Sequence, residues 1–292
     1  MAYPIISGAY GLSARNEIGG LPYAGSTRMI PIQSGYATGL FNGDIVILSA
    51  GMLVANTYTP ATAPTTPIAG TVGVFVGCEY SNPAGPLYGK LRAQNWVAGN
   101  TAVDAVAYVV DDPRVVFKSV VGSQGTSLSN TSSGFGYMSQ RFIGTNVYPL
   151  SGTAGNLTSG KSSLVVSGGV VTNATGNTAV TAAAPFRVVG VVSETAVTLN
   201  AIGSTSGSST TVTLTTASGT IQAGMQLYCA YGTGTGVNAG NYITVTNVNG
   251  LILTVNTAVT IPSGSNIYLV GYPEVLVTWN GNFHSYSNTT GV

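Results

Sequence analysis

The chain has 292 residues, enough for one large β domain or two smaller ones, and long enough to bury a core without disulfide or metal staples. Only 6% of its residues are charged, nine Lys or Arg against eight Asp or Glu, where an average soluble domain carries about 25%. This excludes electrostatic capture of nucleic acid, which needs clustered cations to displace counterions, and a neutral Ser-, Thr- and Gly-rich surface suits a protein packed against neighbours.

Residues 1–30 have no hydrophobic period and hold seven Gly or Pro, interleaved with Tyr3, Ile5, Ile6, Tyr10, Leu12, Leu21 and Tyr23. Apolar residues without a core period suggest an extended N-terminal arm whose side chains bury against another subunit. Nothing in residues 1–17 has the basic start and sustained apolar stretch of a secretion signal, so synthesis is expected in the cytoplasm with reduced thiols. Mean hydropathy is +0.33, yet the best apolar run, Ile45 to Ala55, is about half the roughly 20 residues a membrane-spanning helix needs.

A β-rich body is expected over residues 31–198. Pro60, Pro64 and Pro67 make 56–70 a stiff loop that does not pair. From Val72 to Tyr80 apolar residues alternate with period two, which predicts a strand with Cys78 on its apolar face. Thr101–Val110 has a capping-box start at Thr101 and Asp104, but Val106–Val110 reads better as a strand stopped at Asp111-Asp112-Pro113. Arg114 to Val121 is another strand, and Gly168-Gly169 predicts a hairpin between Leu164–Ser167 and Val170–Asn173.

Residues 199–270 contain no charged residue. Several alternating strands, among them Met225 to Tyr231 around Cys229, argue for a folded β unit. The Asn249-Gly250 pair suits a type I′ turn between Ile243–Val248 and Leu251–Val255. The strong strands Phe186–Val192 and Tyr272–Trp279 flank this stretch. They are expected to be neighbours in the body's sheet, with 199–270 inserted as a lobe and 271–292 returning to the body. The expected fold is all-β: a β-barrel- or sandwich-like body, an extended arm and an inserted small β lobe.

The motifs that could carry chemistry favour structural readings. Gly155 to Ser162 matches the P-loop pattern literally, but a P-loop opens a helix whose amides hold phosphate, and here a hairpin follows. Gly232-Thr-Gly-Thr-Gly236 lacks the βαβ unit a dinucleotide site needs. His284, the sole histidine, stands in the polar tail with no Cys or carboxylate cluster and no nucleophile elbow to serve. Asp111 and Asp112 are more simply a turn than a calcium site, and the sequons at Asn130 and Asn173 have no meaning without secretion. No catalytic residue, cofactor or metal is expected. The sixteen tyrosines suit either an interface or stacking on sugars.

Gly73 to Tyr80, followed by Gly99 to Phe117, resembles a phrase of head structural proteins of tailed bacteriophages, as do Gly39 to Val46 and Phe186 to Val192. The likeness covers roughly residues 36–192 and 272–280; the arm and the lobe lie outside it. The resemblance implies a non-enzymatic virion protein that decorates and cements an icosahedral capsid across major capsid protein subunits, as a homotrimer. It would be assembled in the host cytoplasm and carried on the capsid surface, without nucleic acid or membrane as partner. The alternative is a receptor- or glycan-binding fibre or tail component. A major capsid protein is not expected, because its spine helix has no counterpart in this sequence.

Overall fold

The computed structural model describes residues 9–56, 71–82, 89–122, 143–150, 155–167, 184–192, 195, 198–223, 225–229, 243–270, 274–280 and 283–284. Within them every named element is a β-strand, so the all-β class holds. The body is sandwich-like rather than a closed barrel.

One body sheet runs in the order Asn146–Val147, Phe186–Val191, Glu274–Trp279, Val115–Gly122, Val165–Ser167 and Pro149–Leu150, with Ser13–Glu17 also pairing on Val115–Gly122. The second runs Arg28–Pro31, Val106–Val110, Thr71–Ser81, Ile45–Ser49 and Met52–Ala55, with Lys90–Ala93 added on Thr71–Ser81. Between them lies a core of Leu12, Ile45, Val74, Phe117, Phe186 and Val277, among others. A second core covers the other face of the second sheet with Ile30, Leu53, Phe75, Cys78 and Trp96. Each fully buried Val, Leu or Phe in these cores contributes about 1.5–3 kcal/mol of transfer free energy.

Thr71–Ser81 is buried on both faces near its start, and its simple alternation does not survive. Val46 pairs with Gly73 and Ile47 with Thr71, leaving Val72 as an extra residue; Phe75 pairs with Val109 and Gly77 with Tyr108, leaving Val76 as another. Each bulge reverses the parity of the side chains. As a result Val72, Phe75 and Cys78 face one core, whereas Val74 and Val76 face the other. The expected single face from Val72 to Tyr80 is therefore corrected. Glycine permits the bend: a Cβ on Gly73 would meet the Val110 carbonyl oxygen, and one on Gly77 would lie 2.9 Å from that of Ala93.

The Ile45–Ala55 run is a hairpin whose turn, Ala50-Gly51, has φ of 49° and 79°, the positive pair of a type I′ turn. Val106–Val110 is a strand, as its pattern suggested. Asp104 accepts hydrogen bonds from the Ser81 backbone N–H and hydroxyl instead of capping a helix. The 56–70 loop is described only at Asn56, and the Gly168-Gly169 hairpin lies outside the described residues.

The two strands flanking the chargeless stretch pair directly: Phe186 opposes Trp279 and Val191 opposes Val275. The described residues of 198–270 build a separate six-stranded antiparallel sheet in the order Gln226–Cys229, Ser265–Val270, Thr198–Ser204, Ser209–Ala217, Ile252–Val259, Val245–Asn249. It has its own core, including Val212, Leu227, Leu253, Ile267 and Leu269. Leu227 N–H donates to the Ile243 carbonyl and Val245 N–H to that of Met225, so the sheet's two outer strands meet. The expected Asn-Gly turn falls one residue later: Asn249 pairs with Ile252 around Gly250-Leu251. Gly250, the first central residue, has φ of 60°, the type II′ pattern.

Candidate functional site

A buried polar cluster surrounds Glu274, the first residue of strand Glu274–Trp279, which is 2% exposed. A buried carboxylate is costly unless paired and hydrogen-bonded. The Lys118 Nζ lies 2.7 Å from Oε1 and 2.8 Å from Oε2, and the Tyr10 hydroxyl donates to Oε1 at 2.6 Å. Burial first, then the hydrogen bond and charge of Glu274, push the Tyr10 phenol well above its ordinary range, so it stays a donor. The Lys118 and Lys161 ammonium groups sit 5.6 Å and 5.9 Å from the Tyr10 ring centroid. No short-range pattern announces this site, because Tyr10 and Glu274 are 264 positions apart.

The arm residues are distributed differently from the expectation. Tyr3, Ile5 and Ile6 lie outside the described residues. Tyr10 is engaged as above, and Leu12 is wholly buried in this chain's own core, so it presents no surface to a partner. Ser13–Glu17 is a strand of the first body sheet and Arg28–Pro31 one of the second; these segments belong to the body's sheets rather than to a free arm. The unreadable period has a simple cause: each stretch is short and serves a different sheet. Leu21 is 61% exposed. Tyr23 packs partly against the core and donates its hydroxyl to the Ser26 carbonyl.

The P-loop-like stretch is a tight turn. Asn156 Oδ1 accepts from the N–H groups of Thr158 and Ser159, Asn156 N–H donates to the Lys161 carbonyl, and Gly160 has φ of 67°. No helix follows it; residues 162–164 lead into strand Val165–Ser167. Ser162 is buried and donates to Asp44, whose carboxyl is raised by burial against the lowering effect of Ser162 and the Phe41 N–H. The amides of Thr158, Ser159 and Gly160 are thus taken up within the turn, and that of Ser162 donates to the Asn42 carbonyl.

Asp112 accepts from the Arg114 N–H, and Asp111 faces Arg28 at 3.8 Å, a strand-ending turn as expected. Among the described residues no group of three or more His, Cys, Asp or Glu is placed to hold a metal, and no helix is long and apolar enough to cross a membrane. His284 is fully buried, edge-on to Trp279 with centroids 5.5 Å apart, which places it in packing rather than on the surface. Cys78 is buried and its thiol pushed up to about 12 by that burial, so it is unreactive as a thiolate. The Cys229 side chain, Gly232–Gly236 and the sequons at Asn130 and Asn173 lie outside what is described. No known protein family, curated protein or solved structure matches this chain.

Proposed function

We propose that the protein is a non-enzymatic virion structural subunit that decorates and cements an icosahedral capsid, bridging major capsid protein subunits as a homotrimer. One observation carries this reading: the few acidic groups serve as struts. Asp44, Glu79, Asp104, Asp111, Asp112 and Glu274 are each hydrogen-bonded or ion-paired within the fold, and only Glu17 of the seven described acids has no such named role. Groups committed to holding backbone and neighbouring strands suit a scaffold better than acid–base chemistry. The low charge and the resemblance of residues 36–192 and 272–280 to phage head proteins support the same reading. Exposed Leu21, Met29, Met52 and Val103 offer apolar contact surface. Weak contacts of this kind tighten when many copies bind one shell.

The alternative, a receptor- or glycan-binding fibre component, draws on the lobe's outward face, where Thr211, Thr213 and Thr215 are exposed on a chargeless sheet. Copy number separates the two. Quantitative mass spectrometry of purified virions should find the protein at a stoichiometry comparable to that of the major capsid protein. A fibre-like stoichiometry, together with binding of the purified lobe-containing chain to host surface glycan, would replace the cementing reading. Absence from the virion would reject both.

A further inference from the structure

We infer that residues 9–12 act as a strap that sets how firmly the chargeless lobe is attached, with Glu274 as the relay between them.

The chain leaves the first body sheet after the pair Val191–Val275 and enters the lobe at the pair Thr198–Val270. Between these two ladders the described contacts converge on Glu274 and Thr195. Val192 N–H donates to the Glu274 carbonyl at 3.0 Å, and Glu274 N–H donates to the Thr195 hydroxyl oxygen at 2.8 Å. The Thr195 hydroxyl and N–H both donate to the Val192 carbonyl, at 2.8 and 3.0 Å. The backbone of Glu274 therefore ties the outgoing and returning segments at the lobe's neck.

The side chain of the same residue is held from the other direction. Its carboxylate takes the Tyr10 hydroxyl and the Lys118 ammonium, and the Tyr10 segment is seated by Gly11 N–H on the Leu164 carbonyl and Leu12 N–H on the Gly43 carbonyl. With the phenol withdrawn, the buried anion keeps Lys118 alone among the described residues and must regain solvent to replace the lost donor. The shortest way is to move the start of its strand outward, and that start is the group that clasps Val192 and Thr195. A seated strap thus holds the neck closed; a partner that draws Ala9 and Tyr10 off Glu274 loosens it, while Leu12 stays in the core. Two sites joined by one shared residue are coupled reciprocally, so freeing the neck also loosens the strap.

Amide hydrogen exchange on the full-length chain tests this. Tyr10→Phe keeps the ring and removes one hydrogen bond to a charged acceptor, so exchange at the Val192 and Glu274 amides should rise by at least about tenfold. The amides of Val212 and Leu253 in the lobe, and of Val109 in the second body sheet, should keep their rates. Thr195→Val should also speed the Glu274 amide, and the double variant should fall short of the product of the two effects. Unchanged neck amides in Tyr10→Phe, an equal rise throughout the fold, or a purely multiplicative double variant would each overturn the strap.

Discussion

Gly11 and Gly43 touch backbone to backbone: a Cβ on Gly11 would lie 2.7 Å from the Gly43 Cα, and one on Gly43 would lie 2.8 Å from the Gly11 Cα. The contact seats the N-terminal segment in the body, because Leu12 N–H donates to the Gly43 carbonyl and Gly43 N–H to that of Phe75. Both glycines have positive φ, 79° and 100°. Gly11→Ala should therefore suffer backbone strain and a clash that neither backbone can yield to, costing about 2–4 kcal/mol in urea unfolding. Gly25 has φ of 80° with open space around it. Gly25→Ala should cost only the strain, about 1–2 kcal/mol. Equal losses in the two variants would mean that the close contact does not matter.

Leu12 and Leu21 separate stability from attachment. Leu12 is fully buried in the core between the sheets, so Leu12→Ala should cost about 2–5 kcal/mol of stability, and truncation through residue 13 should do more damage still. Leu21→Ala should leave the unfolding midpoint within about 0.5 kcal/mol of the parent, since surface changes rarely exceed that. If Leu21 belongs to the capsid contact, its loss lowers occupancy on purified shells. Intact stability in Leu12→Ala would return that residue to the role of an interface anchor.

Lys161 completes the P-loop pattern but stands at the end of a turn whose Thr158, Ser159 and Gly160 amides are already occupied. Calorimetric titration of the parent with Mg-ATP should show no saturable heat, and Lys161→Ala should fold and assemble as the parent does. Loss of its position over the Tyr10 ring removes about 0.5–1 kcal/mol at most. Saturable binding that disappears in the variant would establish a nucleotide site.

His284 gives stability a particular pH dependence. Burial holds its imidazole below the ordinary range, opposed by the hydrogen bond with the Val72 backbone and by the charges of Asp111 and Asp112. The unfolded chain then takes up the proton first. The stability of the neutral, buried ring is fully present above about pH 6.5 and is lost as pH falls from there toward the lower folded value. Asp44 works in the opposite sense: its folded carboxyl is raised, so lowering pH relieves the cost of its buried charge. Comparing the parent with His284→Phe cancels that contribution. Urea midpoints between pH 8 and pH 5 should fall more steeply in the parent than in the variant. Identical slopes would show that the folded and unfolded imidazoles titrate alike.

Much of the architecture was legible in the residues themselves, and the reason is local. Side-chain alternation, Gly-containing turns and scarce helix formers act over a few positions, so the all-β class, the strand at Val106–Val110 and the pairing partners on either side of the chargeless stretch could be read directly. The same locality explains why Gly155 to Ser162 reads as a turn: Asn156 caps its own neighbours, whatever pattern the letters match. The tertiary structure decided what local patterns cannot carry. Val72 and Val74 are two positions apart yet face different cores, because bulges appear only when strand Thr71–Ser81 is laid against its partners and must meet two sheets. Leu12 looked like an arm residue because its stretch has no period, and it is core because segments distant in the chain, among them those of Gly43 and Leu164, close around it. Glu274 found Tyr10 across 264 positions, a meeting set by the order of strands in the sheet and by the cost of leaving a buried carboxylate without donors.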